Sequence, residues 1–367
     1  MKSSYKNDDV ILLLKDITGM VEPQPTEERE RLIQQGRHYC EMLPIEYVPT
    51  EKYMQVYREA LEKYSSVTAQ AVGRLADKII KARGENVVLV SLARAGIPIG
   101  ILLKRYIKKK YGLDVMHYSI SIIRGMGIDD NAMKYLLAHH KAEDLLFVDG
   151  WIGKGAILNE LRKDISAYDG VSSEIAVVAD PANVTKLYGT SEDILIPSSC
   201  LNCTVSGLVS RTFYRTDIIG KDDFHGAIYY GEMEENDLSY EFINAIEEKF
   251  EIQEDFKNQE SFKDESTTIK NSAQEYVKAE GFGIDEVRKI GEHFGIDDIN
   301  LIKPGIGETT RVLLRRVPWK VLIDERYRND DSLAHIVRLA DEKGVPIEYY
   351  PLMHYKTCGI IKKIADA

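Results

Sequence analysis

The stretch Leu146-Phe147-Val148-Asp149-Gly150-Trp151-Ile152-Gly153-Lys154-Gly155-Ala156 decides the fold of this chain. Its apolar start predicts a buried strand, its glycines predict a tight turn, and Ala156 opens a helical pattern. The N–H groups of such a turn and the positive end of the helix converge on one point, which makes an anion site. Gly155 stands where a Walker-type loop needs Ser or Thr after Lys154. With Asp149 facing the same point, a sugar phosphate suits this turn better than a nucleoside triphosphate.

The composition of the 367 residues is that of a globular protein with two or three domains. No apolar run approaches the length of a membrane span, and the N-terminus has no signal-peptide core, so we expect a cytoplasmic protein without membrane contact. Four cysteines are too few for a disulfide framework. Cys200-x-x-Cys203 has no second Cys/His pair at ligand spacing, which disfavours a zinc site.

The charge is unevenly spread along the chain. The net charge is −11, yet from residue 270 onward 16 Lys and Arg balance 16 Asp and Glu. An acidic, polar stretch therefore separates two differently charged parts. We expect a first domain at residues 1–250, an acidic linker at 251–272 and a second domain at 273–367.

Strands and helices alternate in the first domain. Strands are predicted at 86–92, 115–123, 145–148 and 174–179, with helices at 67–82, 99–111, 129–139 and 158–168. This rhythm predicts a parallel α/β sheet whose ligands bind at the carboxyl ends of the strands. Both glycine-bearing turns, Ala93-Arg94-Ala95-Gly96 and the Asp149 turn, fall at those ends.

These two turns resemble the loops of the type I phosphoribosyltransferases. The first matches the family's pyrophosphate loop and the second its phosphoribosyl loop, although Gly150 replaces a second acidic residue and Gly153-Lys154 replaces a Thr pair. The resemblance implies transfer of a phosphoribosyl group from phosphoribosyl pyrophosphate with Mg²⁺. The residues it places in substrate binding are Ala95, Gly96, Gly150, Gly153, Lys154, Gly155 and Ala156.

Three residues carry the chemistry of this prediction. Arg94, Arg124 and Mg²⁺ would neutralise the leaving pyrophosphate, while Asp149 would steady the sugar and could hold Mg²⁺ through water. Arg124 opens a loop with two glycines that suits a lid. Two simpler alternatives stay open: Asp129 and its neighbour cap the next helix, and Arg94 is a surface charge beside a structural turn.

Three further segments, 36–44, 196–212 and 222–227, resemble a more particular bacterial group. Its members are encoded near tellurite-resistance and stress operons and carry a phosphoribosyltransferase-like domain labelled StiP cysteine protease. The resemblance covers residues 30–250 and implies a role in ribonucleoside biosynthesis under stress. The label points to an alternative thiol site, Cys200 or Cys203 with His225 as base. Arg211 and the neighbouring hydroxyl groups are equally suited to an acceptor pocket.

The second domain resembles the Pelota-type RNA-binding domain over residues 275–365. An α/β/α pattern is predicted, with helices at 306–316 and 332–343, strands at 319–323 and 345–350, and a last helix starting at 355–361. The resemblance implies that structured RNA is bound through the loop residues Gly305, Gly307 (where the family has Asn), Glu308 and Arg311, with Lys356 on phosphate. The alternative is a docking or dimerisation module.

The sequence as a whole favours a phosphoribosyltransferase with an RNA-binding appendage. Two alternatives from other classes are a ribose-phosphate sensor tethered to RNA and a cysteine protease of the StiP type. A homo-oligomer stays open.

Overall fold

The computed structural model describes residues 1–252 and 282–362. The linker predicted at 251–272 therefore lies almost wholly outside the described residues, as does the start of the second domain. Within the described ranges, no helix is both long and apolar enough to cross a membrane.

A six-stranded parallel sheet forms the centre of the first domain, which confirms the α/β prediction. Its strands stand in the order β1-β4-β3-β7-β8-β9, and each neighbouring pair is parallel. The three central strands are rich in Val, Ile, Leu and Ala because helices cover both faces of the sheet. The strands are β1 (Ile11–Leu12), β3 (Val88–Leu92), β4 (His117–Ile120), β7 (Leu145–Trp151), β8 (Ile175–Ala179) and β9 (Leu187–Thr190).

Six helices accompany this sheet and divide its core into two layers. One layer joins α2, α3 and α6, the other α4 and α5, and alternate residues of each strand point into each. Helix α2 is twice as long as predicted and ends at Gly84, whose positive φ of 75° suits a glycine. The helices are α1 (Thr26–Gln34), α2 (Glu51–Arg83), α3 (Gly96–Tyr111), α4 (Asp130–His139), α5 (Ala156–Ile165) and α6 (Ser239–Glu247).

Short elements build a further apolar cluster beside the carboxyl end of β3. Strands β2 (Lys15–Asp16) and β10 (Gly226–Ala227) pair in parallel, and β5 (Ile122–Ile123) forms a hairpin with β6 (Gly127–Ile128). The cluster is centred on Phe213, which is fully buried. It positions the segment 36–44 and Arg211 against the sheet.

Over residues 282–362, the second domain forms a four-stranded mixed sheet with three helices. The strands β11 (Ile302–Pro304), β12 (Pro318–Ile323), β13 (Ile347–Tyr349) and β14 (Thr357–Ile361) stand in the order β11-β14-β12-β13. The helices are α7 (Phe282–Phe294), α8 (Ile306–Arg315) and α9 (Ala334–Glu342).

The last predicted helix is wrong. Residues 357–361 form a central strand, β14, antiparallel to both β11 and β12. Its β-branched residues fit a pleated, buried surface better than a helix, and pairing on both sides satisfies its backbone groups.

The two domains share an apolar core. Leu313 and Leu314 of α8 are buried in the same cluster as residues of α2, and each buried leucine contributes about 1.5–3 kcal/mol. The hydroxyl of Tyr53 on α2 donates to the carbonyl oxygen of Leu314. The second domain is thus packed on the first and not merely tethered to it.

Candidate functional site

The two predicted anion turns meet at the carboxyl end of the sheet. A Cβ atom on Gly96 would lie 2.6 Å from the carbonyl oxygen of Val148, so only glycine allows this approach. Asp149 follows directly, and its Oδ1 accepts from the N–H of Gly150 at 2.7 Å. Burial raises the pKa of Asp149 to about 6.

The second domain covers the glycine turn that was expected to hold a phosphate. Lys154 Nζ donates to the carbonyl oxygens of Ile299 and Ile302, the latter at 2.9 Å. The hydroxyl of Tyr355 donates to the carbonyl oxygen of Gly153 at 2.6 Å. Burial lowers the pKa of Lys154 to about 8. Lys154 therefore serves the contact between the domains, and Gly155 (φ 76°) and Ala156 begin helix α5 behind it.

Arg94 is neither a surface charge nor a free anion-binding group. One of its terminal nitrogens, Nη2, lies 2.8 Å from Oε1 of Glu46, whose side chain is 3% exposed, and Nη1 donates to the carbonyl oxygen of Val209. Ala95 beside it is exposed. The simpler alternative for Asp129 does hold, since its carboxylate caps α4 by accepting from the N–H groups of Asn131 and Ala132.

Asp149 was predicted to hold Mg²⁺ through water. Within the described residues, no group of three or more His, Cys, Asp or Glu side chains is arranged as metal ligands. Mg²⁺ binding at Asp149 stays a prediction.

The structure does not bring Cys200 or Cys203 together with His225. Both thiols are buried, and burial raises the pKa of each to about 12. Cys203 Sγ contacts Met233 Sδ at 3.6 Å, whereas His225 Nδ1 lies 2.9 Å from Ser121 Oγ. These contacts suit packing rather than nucleophilic chemistry.

A different thiol has an imidazole beside it. Cys40 Sγ lies 2.9 Å from Nδ1 of His38, and the N–H of Cys40 donates to the same Nδ1 at 3.3 Å. Nδ1 accepts from this backbone N–H, and the thiol of Cys40 also has the carbonyl oxygen of Tyr214 as an acceptor at 3.6 Å. In the part of the chain that the structure describes, Cys40 is the one cysteine with an imidazole nitrogen within hydrogen-bond distance. We call His38 and Cys40 the thiol–imidazole pair.

The pair lies on a single short turn. Residues Tyr39–Glu41 form one 3₁₀ turn that His38 caps through its ring. Burial, reinforced by Glu41, raises the pKa of Cys40 to about 11, and Arg211 acts in the opposite direction. The sequence signal was only His-x-Cys within a segment noted for its resemblance, which does not distinguish a reactive thiol from a buried one.

Arg124 and Arg211 both lie near Tyr39, the residue between His38 and Cys40 in the chain. The guanidinium carbon of Arg211 lies 5.1 Å from the ring centroid of Tyr39, and that of Arg124 lies 6.0 Å from it. Arg211 also donates to the Tyr39 carbonyl oxygen, and the Tyr39 hydroxyl accepts from the N–H of Arg124 at 2.9 Å. Both arginines were predicted as site residues, and the structure places them together.

The predicted RNA loop faces the first domain. The N–H groups of Ile306 and Lys356 each donate to the buried carboxylate of Asp193 at 3.0 Å. A Cβ on Gly307 would lie 3.2 Å from Ser199 Oγ, and Gly305 adopts a φ of 90°. Among the loop's side chains, Glu308 pairs with Arg311 at 2.8 Å, and Lys356 Nζ lies 3.0 Å from Asp330.

Comparison with known proteins identifies the family. The family model of the tellurite-like stress resistance cysteine protease StiP matches residues 3–247. A curated relative, the cysteine protease StiP of Acinetobacter baylyi, is 33% identical over 373 residues, covering 98% of this chain and 94% of its own. The chain belongs to the StiP family. The PELOTA RNA binding domain model matches residues 282–363 of this StiP-family chain.

Solved structures were also matched, an HGPRT-ase among them at only low similarity. The crystal structure of HGPRT-ase from Leishmania tarentolae in complex with GMP shares 13% identity, covers 33% of this chain and 67% of its own, and has a TM-score of 0.24. A similarity at this TM-score carries no argument about fold or ligand.

The prediction of a phosphoribosyltransferase is wrong. The family model and the curated relative are both described as cysteine proteases, which agrees with the alternative rather than with the main prediction. The physical reason lies in the glycine turn, where Lys154 is bound to carbonyl groups of the second domain. A strand, a glycine turn and a helix make an anion site only where the turn stays open to a ligand.

Proposed function

We propose that this StiP-family chain is a cysteine protease in which Cys40 is the nucleophile and His38 the general base. The observation that carries the proposal is the distance of 2.9 Å between Cys40 Sγ and His38 Nδ1. The family description and the 33% identical relative support the reaction class.

The pair supplies each proton transfer that peptide hydrolysis needs. Because the pKa of Cys40 is raised to about 11, the resting thiol is protonated at neutral pH. His38 takes this proton while Sγ attacks the peptide carbonyl carbon, and then delivers it to the departing amine. The resulting thioester is cleaved by a water molecule that His38 deprotonates, and the proton returns to Sγ. Hydrolysis therefore consumes one water and needs no other reactant.

In this structure the thiol of Cys40 is closed to a peptide substrate. Cys40 is fully buried, so a peptide reaches Sγ only after a neighbouring segment moves. The turn that carries the pair is preceded by Gly36, whose φ of 92° favours glycine and whose surroundings are open. We place the movement at this turn, because a glycine there allows backbone conformations that other residues rarely adopt.

The test uses the full chain with fluorescein-labelled casein as substrate. We expect Cys40→Ala to abolish hydrolysis and Cys203→Ala, the matched control at a second buried thiol, to retain it. Hydrolysis that survives Cys40→Ala overturns the assignment of the nucleophile. If the unaltered chain cleaves no protein or peptide substrate, the protease proposal itself is wrong.

We also propose RNA binding by the second domain. The family match at 282–363 and the half-exposed side chain of Arg311 in the middle of α8 support it. Binding of a structured RNA is measured by gel shift, with Arg311→Ala expected to weaken it and Arg288→Ala, an exposed arginine on α7, as the control. Equal affinities of the two variants would remove Arg311 from the interface.

A further inference from the structure

The thiol–imidazole pair lies in a positively charged part of an acidic protein. The whole chain carries a net charge of −11, yet three further arginines lie close enough to Arg211 to act on its charge. Burial lowers the pKa of Arg211 to about 10, and the charges of Arg29, Arg94 and Arg316 act in the same direction.

The two arginines beside Tyr39 have no carboxylate partner among the residues that the structure describes. Arg94 is balanced by Glu46, but within the described residues Arg124 and Arg211 take part in no salt bridge. Their side chains donate to neutral acceptors, Arg124 to Asn300 Oδ1 at 2.7 Å and Arg211 to the carbonyl oxygen of Tyr39. Two guanidinium groups without a carboxylate therefore each lie within about 6 Å of the Tyr39 ring centroid.

Arg211 also has a donor with no acceptor. Its Nε is buried and has no hydrogen-bond partner in the part of the chain that the structure describes. A buried donor without an acceptor is destabilising, and a guanidinium group satisfies a carboxylate with two parallel hydrogen bonds. The unsatisfied Nε of Arg211 thus calls for an acceptor oxygen beside Tyr39.

The position of this acceptor relates it to the reaction. Tyr39 stands between the members of the thiol–imidazole pair, and its ring centroid lies 4.6 Å from that of His38. A group bound by these arginines at Tyr39 therefore lies next to the pair in the chain.

We propose that Arg124 and Arg211 bind a side-chain carboxylate of the substrate, so that the chain selects acidic peptides and cleaves them next to Asp or Glu. This inference rests on the proposed protease function and names its substrate class. Arg124 and Arg211 act by binding substrate and take no part in proton transfer.

The experiment measures binding without turnover. Full-length protein carrying Cys40→Ala is titrated with a fluorescein-labelled peptide of alternating Ala and Glu, and affinity is read by fluorescence anisotropy. The matched peptide has Gln in place of Glu. We expect the Glu peptide to bind at least about tenfold more tightly, and the difference to shrink at high salt.

Substitutions locate the binding groups. Adding Arg124→Met or Arg211→Met is expected to weaken binding of the Glu peptide about tenfold, whereas Arg58→Met, an exposed arginine on α2, leaves it unchanged. Arg124 is exposed, so its variant stays informative if Arg211→Met unfolds. Equal affinity for the Glu and Gln peptides overturns the inference. So does binding of pyrophosphate by a protein that binds neither peptide.

Different results would overturn the acidic-substrate inference and the protease proposal. If the unaltered chain cleaves peptides but shows no preference for Glu over Gln, the substrate class is wrong and the protease stands. If the Cys40→Ala protein binds the Glu peptide through the two arginines but the unaltered chain cleaves nothing, the anion site stands and the protease is wrong.

Discussion

The glycine turn at residues 153–155 and the turn that carries His38 and Cys40 differ in their tertiary contacts. The glycine turn has the stronger sequence signature, yet groups of the second domain bind its Lys154 and its Gly153 carbonyl. The other turn has a weak signature, but there a thiol meets an imidazole at 2.9 Å beside two arginines. A local motif thus defines a potential binding site. The tertiary contacts decide whether other groups of the same chain occupy that site or leave it for a ligand.

Replacing His38 tests the largest expected difference between the turns. We expect His38→Gln to lower the rate of casein hydrolysis about 10²–10⁴-fold, because the general base is lost. Initial rates measured at saturating substrate give this ratio. His225→Gln is the control, since that ring is bonded to Ser121, and an equal loss in both variants would contradict the assignment.

Replacing Lys154 tests the structural role of the glycine turn. Lys154→Met removes two hydrogen bonds from a charged donor to buried carbonyl groups of Ile299 and Ile302. We expect a loss of about 2–3 kcal/mol in the free energy of unfolding, measured with urea, and hydrolysis within about threefold of the unaltered chain. Lys163→Met, on the exposed side of α5, should change neither. If Lys154→Met loses hydrolysis but keeps its stability, the glycine turn is part of the functional site and the structural role is wrong.

The smallest expected effect concerns pH and Asp149. Its pKa in the folded chain is raised from 3.8 to about 6 by burial, so the folded state binds a proton more tightly than the unfolded state. The stabilisation is complete below pH 4 and is lost as the pH rises through 6, amounting to about 1–3 kcal/mol. Asp149→Asn should flatten this part of the stability curve and leave hydrolysis intact.

Urea unfolding of the unaltered chain and of Asp149→Asn, from pH 3.5 to pH 7.5, measures the part of the pH-dependent stability that Asp149 contributes. Two other buried carboxyl groups, Asp180 and Asp193, also have pKa values raised to about 6. The dependence therefore decreases in the variant but does not vanish. Identical curves for the two proteins would show that Asp149 is not buried in this way.

The sequence predicted the parts of the fold that depend on local pattern. Runs such as Leu145–Val148 are apolar because helices cover both faces of the parallel sheet, and the two turns at its edge followed from the strand ends. Strand β14 was missed because a five-residue apolar segment fits a helix or a strand, and only its two neighbouring strands decide.

The candidate site was harder to predict because its contacts join residues that are far apart in the chain. Arg211 lies more than 170 residues from Tyr39 along the chain, and its contact depends on the cluster around Phe213. The contact between Lys154 and Ile302 joins two domains. No periodicity or spacing encodes such pairs, whereas Arg124 was found because it follows a strand end.

Covalent trapping tests the central claim most directly. The full-length chain is treated with an acidic peptide that ends in a vinyl sulfone, which alkylates an activated thiol, and the modified residue is identified by peptide mass spectrometry. The account predicts an adduct on Cys40 that is lost in His38→Gln. An adduct on Cys200, Cys203 or Cys358 instead, or none in a protein that cleaves the corresponding peptide, would contradict it.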